Sequence, residues 1–175
     1  YGSGITCVKP VYNVVGNHDT MDVDNVYKSD KAHVKSLLFN HMDDWNVTFM
    51  ELDNSMTYYK DFEESKIRMI VLDYYYDIDA QCSWLTERLN EAKNLGYHVA
   101  TFTHEKTNKF TSRLDTPFNT IDDDYLGKSV LKFDSVIGNW IKNGGIHVAN
   151  FCGHEHTDCI GYTTNGVLNI CIEAS

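Results

Sequence analysis

Apolar and polar positions along the 175-residue chain switch repeatedly between a two-residue and a three-to-four-residue period. Val11, Val14 and Val15 form a short β-branched run that predicts a buried strand ending at Gly16. Ala32, Val34, Leu37 and Leu38 recur on one side of a predicted helix from Asp30 to Met42. Two strands are expected at Thr57 to Phe62 and Lys66 to Leu72, joined by Glu63, Glu64 and Ser65. The second of them, with Ile67, Met69, Ile70, Val71 and Leu72, suits burial on both faces. Asp79 is the expected N-cap of the next helix, whose apolar positions are Leu85, Leu89, Ala92 and Leu95 beside Trp84, and Gly96 stops it.

Tyr97 to Thr103 reads as a further strand, followed by a long polar segment from His104 to Asp124 that Pro117 interrupts. A helix is expected over most of Ser129 to Asn143, with Val130, Phe133, Ile137, Trp140 and Ile141 on one face and Gly144-Gly145 at its end. Ile146 to Phe151 reads as a strand. Ile160 to Thr164 and Val167 to Ile172 read as a hairpin turning at Asn165-Gly166. Strands alternating with helices and then a hairpin predict an α/β layered fold in one domain spanning residues 1–175.

Composition narrows the function classes. The net charge of −10 disfavours long nucleic acid as a partner. It leaves phosphate esters open as substrates, because a bound cation reverses the local field. No apolar run approaches the about 18 residues needed to cross a bilayer. The start carries no basic, apolar leader, and five cysteines without a CxxC pair suit reduced thiols, so the cytoplasm is the expected compartment. Tyr1 and Ser175 both read as cuts through a larger protein.

Three polar clusters fall at the C-terminal ends of predicted strands, where ligand sites gather in open α/β sheets. Gly16-Asn17-His18-Asp19 follows the first, His104 follows the strand ending at Thr103, and Gly153-His154-Glu155-His156 follows the strand ending at Phe151. His154 and His156, on a loop, can lean toward one point, and imidazole suits Zn, Fe or Mn; Gly153 lets the backbone bend beside them. The same pair also reads as two surface histidines on a polar turn. The Asn17 side-chain oxygen can ligate a hard metal, while His18 can move a proton with Asp19 holding its ring. Equally, Gly16-Asn17 with a capping Asp19 makes an ordinary turn.

Val15-Gly16-Asn17-His18-Asp19, Thr103-His104 and Cys152-Gly153-His154-Glu155-His156, in that order, resemble the calcineurin-like metallophosphoesterases. Asp73 after a buried strand, then Gln81, Trp84 and Leu85 opening a helix, resembles the stretch between that family's middle motifs. The resemblance runs from Val11 to the C-terminus. It implies an αββα sandwich, incomplete here at its N-terminal side, with two divalent metal ions (Mn, Fe or Zn) at the strand ends. On that reading Asn17, His104 and His154 ligate one ion and His156 the other. His18 assists the leaving group and Asp19 orients it. The implied activity is hydrolysis of phosphomonoesters or phosphodiesters, by attack on phosphorus of a hydroxide held between two metals.

The family's Asp-x-His and Gly-Asp motifs precede Gly-Asn-His-Asp, and residues 1–15 here contain no Asp, Glu or His. That absence motivates an alternative, a metal-binding or scaffold domain of the same fold without catalysis.

Other features have plainer readings. Gly127-Lys128-Ser129 lacks the upstream glycine of a nucleotide-binding loop, and Asp122-Asp123-Asp124 would repel a triphosphate. His98 and His147 are expected to be packed or edge residues within strands, not ligands, and His33 and His41 to lie on the helix surface. Tyr74, Tyr75 and Tyr76 are expected to pack a loop, with the lining of a substrate pocket as the alternative for one of them, and Arg113 is a candidate for a substrate phosphate.

Overall fold

The computed structural model describes residues 10–20, 31–40, 42, 45–114, 120–121, 131–154 and 156–173, apart from the side chains of His18, Thr20, Thr120 and Ile121. In chain order the elements are α1 (Asn17–Thr20), α2 (Lys31–Phe39), β1 (Thr48–Phe49), β2 (Tyr58–Phe62), β3 (Ile67–Val71), α3 (Ile78–Asn94) and β4 (His98–Phe102). There follow β5 (Phe110–Thr111), β6 (Thr120–Ile121), α4 (Leu131–Lys142), β7 (His147–Cys152), β8 (Cys159–Tyr162) and β9 (Leu168–Cys171).

Seven strands form one mixed sheet in the order β1-β2-β3-β4-β7-β9-β8. The central pairs β3–β4, β4–β7 and β7–β9 are parallel, and the outer pairs are antiparallel. The small β5–β6 pair lies within the long segment after His104.

The α/β layered class expected from periodicity is the class observed, and one sheet faced by helices is compatible with part of an αββα sandwich. Alternation along β3 sorts the two faces. Ile70 and Leu72 join Leu85, Leu89 and Ala92 of α3 and Phe133, Ile137 and Trp140 of α4 in the main core. Met69 and Val71 point the other way, onto Val15, Val34, Phe39 and Met42. Arg68 shares the α3 side and is 1% exposed. Its guanidinium donates two 2.7 Å bonds to Asp61 and one of 2.8 Å to Glu91, over the Tyr59 ring. A cation in a buried strand is tolerated because every direction of the fork meets an acceptor or an aromatic face.

Several sequence expectations shift. The run from Val11 to Val15 forms no strand, since it has no ladder with any described strand; Val15 is buried and Val11 exposed. Helix α2 buries Val34 and Phe39, while Leu37 is 65% exposed, so its apolar side is turned relative to the pattern. Asp30, His41 and Val130 lie outside the described residues, as do Pro117, Asp122-Asp123-Asp124 and Gly127-Lys128-Ser129.

Helix α3 is capped by Asp77, whose carboxylate accepts from the Ala80 amide at 3.0 Å, and Asp79 sits in its first turn. The earlier start buries Ile78 and lets the Gln81 amide close on the Asp73 backbone, donating at 2.7 Å and accepting at 3.0 Å. Gly166 takes φ +85 in the β8–β9 connection, as the Asn-Gly signal predicts. Cys82 and Cys152 are free thiols, and Cys7 lies outside the described residues. Among the described residues no helix is long and apolar enough to cross a membrane.

Candidate metal centre

Parallel neighbours β4 and β7 end side by side, so the residues leaving them meet. The Gly153 amide donates to the His104 carbonyl at 2.9 Å, carrying the pairing one step beyond the strands. That bond brings the two imidazoles together. Their ring centroids are 4.9 Å apart in an edge-on arrangement, with His104 Nε2 3.1 Å from His154 Nδ1. Asn17, the first residue of α1, places its Oδ1 2.8 Å from the same Nε2. The Tyr75 ring lies 6.3 Å away on another side of His104, and its hydroxyl donates to Glu105 at 3.2 Å.

Gly16 closes the remaining side. A Cβ there would stand 2.8 Å from both Cε1 and Nδ1 of His104, inside van der Waals contact. Gly16 is thus required by the approach of a side chain, and its φ is not in the left-handed region. Gly153 is different, since a Cβ there would meet nothing nearer than 3.9 Å. The sharp bend lies in the histidines themselves, with φ +66 at His154 and +50 at His156. Such left-handed residues cost about 1–2 kcal/mol each, and they persist where surrounding contacts over-determine them.

The donor set fits one cation. Ligands about 2.0–2.1 Å from a metal at tetrahedral or octahedral angles lie about 2.9–3.4 Å apart. The spacings of 2.8 and 3.1 Å around His104 Nε2 are of that size. A single ring N–H can aim at one acceptor, whereas lone pairs on two imidazoles and an amide oxygen can share one electrophile. Asn17, His104 and His154, three of the expected ligands, are therefore brought together.

His156 is exposed. Among the described residues no group of three or more His, Cys, Asp or Glu side chains is placed to hold a metal ion, so donors for a second ion are not assembled there. Glu155 and the His18 side chain lie outside the described residues. Asp19 accepts from the Gly16 amide at 2.9 Å and donates its own amide to the Gly16 carbonyl at 3.2 Å, which closes the turn that presents Asn17.

Other residues singled out from sequence fall elsewhere. Tyr74 is buried and its hydroxyl donates to the Lys106 carbonyl, and the Tyr76 hydroxyl donates to the Asp53 carbonyl. Arg113 stacks on Tyr162 with its guanidinium 4.6 Å from the ring centroid. His98 and His33 are exposed. His147 points its Nε2 at the Thr101 hydroxyl, and burial pushes its pKa down to about 4.

Asp73 is 1% exposed, with one oxygen accepting from the Tyr75 amide at 2.8 Å and the other without a hydrogen-bond partner. Burial raises its pKa, opposed by the Tyr75 amide and by Lys31. Gly16 and Tyr75 were not legible as neighbours of His104, because only tertiary packing brings positions 16, 75 and 104 together.

No protein-family model matches the chain, and no curated protein matches it. Its fold is similar to the crystal structure of a dimetal phosphatase from Danio rerio, with a TM-score of 0.64 at 15% identity over 93% of this chain. The chain spans 60% of that protein's length. At this identity the likeness concerns architecture alone, and it agrees with the metallophosphoesterase-type layered fold implied by the motifs.

Proposed function

We propose that the chain is a metal-dependent hydrolase of phosphate esters, of the phosphomonoesterase or phosphodiesterase kind. The observation that carries this reading is the convergence of Asn17 Oδ1, His104 Nε2 and His154 Nδ1 within 2.8 and 3.1 Å at the C-terminal edge of a parallel sheet. The fold likeness to a dimetal phosphatase supports it coarsely.

Asn17, His104 and His154 would hold the ion. Bound there, a divalent ion supplies Lewis acidity toward a phosphoryl oxygen and lowers the pKa of water. Gly16 keeps the His104 ring seated, and Asp19 fixes the turn that aims Asn17. His18, next to Asn17 on α1, is proposed to deliver a proton to the departing oxygen, which makes a poor leaving group a better one. His156, held in a left-handed turn two residues after His154, is proposed as a ligand to a second ion.

A second reading is favoured by the exposure of His156 and by the assembly of donors for one ion among the described residues. In it the domain binds metal without turnover. Mn²⁺-loaded protein and its His154→Ala variant, assayed on p-nitrophenyl phosphate and bis-p-nitrophenyl phosphate, separate the readings. Hydrolysis of either ester that is lost in the variant supports the enzyme. Metal binding with no hydrolysis of either supports the binding domain.

A further inference from the structure

Buried polar residues gather near the C-terminal ends of β4 and β7. Thr101, Thr103, Thr107, Asn150, Asn169 and Asp134 are all buried, and they join the segment after β4 that carries His104 to β7, which leads to His154. Their bonds form one continuous, consistently directed chain. The Asn150 amide donates to Thr103 Oγ1 at 2.8 Å and to Asn169 Oδ1 at 3.0 Å. Thr103 donates onward to the Glu105 carbonyl at 2.5 Å. Asn169 accepts from the Thr107 amide at 3.0 Å, and its own amide donates to Thr107 Oγ1 at 3.1 Å. The Thr107 hydroxyl donates to Asp134 Oδ1 at 3.2 Å, while Asp134 Oδ2 accepts from Asn108 at 3.1 Å and Asn165 at 2.6 Å.

Apolar side chains of similar volume would fill this space at least as stably, and a half-satisfied polar network is worse than either. What a fully satisfied network adds is a single geometry. Here it grips the segment 103–108, which carries His104, through the Glu105 carbonyl and the Thr107 amide. It grips β7 at Asn150, four residues before His154. We propose that this chain sets the relative position of the two histidines, so that Thr107, Asn150 and Asp134 are positioning residues for the metal centre. The inference rests on the reading of Asn17, His104 and His154 as a metal site.

The test is Co²⁺ titration, read by the d–d absorption spectrum, of wild type, Thr107→Val, Thr107→Ser and, as a second break in the chain, Thr103→Val. Circular dichroism confirms that each variant is folded. Valine keeps the shape of threonine and removes the hydroxyl, whereas serine keeps the hydroxyl. The expected result is Co²⁺ affinity weaker by about tenfold in both valine variants, as for other outer partners of metal ligands, with an altered spectrum and near wild-type behaviour in Thr107→Ser. Folded valine variants that bind Co²⁺ with wild-type affinity and spectrum would overturn the positioning role and leave the metal site standing. Equal losses in Thr107→Ser and Thr107→Val would overturn it in favour of packing. Failure of wild type to bind Co²⁺ would remove the metal site and this inference together.

Discussion

Replacing Gly16 by alanine puts one methyl group 2.8 Å from Cε1 and Nδ1 of the His104 ring. Ordinary contact begins near 3.4 Å, so the ring must retreat by about 0.6 Å. It has little freedom to do so in place, since its Nε2 is 2.8 Å from Asn17 and 3.1 Å from His154. Metal–ligand distances tolerate deviations of about 0.2 Å. The ring therefore either strains the site or rotates out of it. Overpacking of this kind costs about 1–3 kcal/mol, equivalent to about 5- to 150-fold in an equilibrium constant.

The cost should fall on the metal-bound state. Without metal, His104 can swing away, and alanine at a non-left-handed position restricts the unfolded chain, which is worth about 0.4–1 kcal/mol in favour of folding. Calorimetric titration with Mn²⁺ or Co²⁺ should thus show affinity weakened at least about fivefold in Gly16→Ala, with the metal-free Tm unchanged or slightly raised. Gly153→Ala, whose new Cβ meets nothing within 3.9 Å, is the matched control and should bind normally. Wild-type affinity in Gly16→Ala would refute the seating of His104 against Gly16.

Two further outcomes are expected. Arg68→Ala removes a buried cation whose partners Asp61 and Glu91 are 23% and 41% exposed and so can rehydrate. Discounted for that, the loss is about 2–3 kcal/mol, or about 4–12 °C in Tm by calorimetry, and Arg68→Met should recover part of it by restoring packing. His147, with a folded pKa of about 4 against 6.5 in the unfolded chain, makes the unfolded state bind more protons between those values. Its contribution, up to about 3 kcal/mol, is complete above pH 6.5 and is lost as pH falls toward 4. Urea melts over that range should show wild type losing stability relative to His147→Gln as pH falls, and a constant difference between them would contradict the assignment.

Periodicity was most informative where one face of an element is buried. Leu85, Leu89 and Ala92 in α3, and Phe133, Ile137 and Trp140 in α4, lie in the core as their spacing predicts. Pattern failed where pairing decides the outcome. Val14 and Val15 are apolar and β-branched, yet without a ladder to a described strand they form no strand. Arg68 breaks an apolar run and is buried all the same, because Asp61, Glu91 and Tyr59 converge on it from β2 and α3.

The candidate site was legible as residue types, and His104 and His154 follow β4 and β7, whereas Asn17 starts α1 and follows no described strand. Its tight packing was not. The approach of Gly16 to His104, and the polar chain from Asn150 to Asp134, depend on which strands become neighbours. Thr101 and Thr103 gave a faint signal, two threonines on one face of a buried strand with His104 next. His156 stood out in the motif but is exposed, and no group of three or more His, Cys, Asp or Glu among the described residues is placed to hold an ion with it.

The proposed metal site consists of Asn17 Oδ1, His104 Nε2 and His154 Nδ1, spaced to share one ion. Elemental analysis of Mn²⁺-, Zn²⁺- and Fe²⁺-loaded protein after exhaustive dialysis, with His154→Ala alongside, measures this directly. At least one ion per chain is predicted, held by the three donors assembled here, and it is lost in the variant. Wild-type protein that retains no more metal than His154→Ala would contradict it.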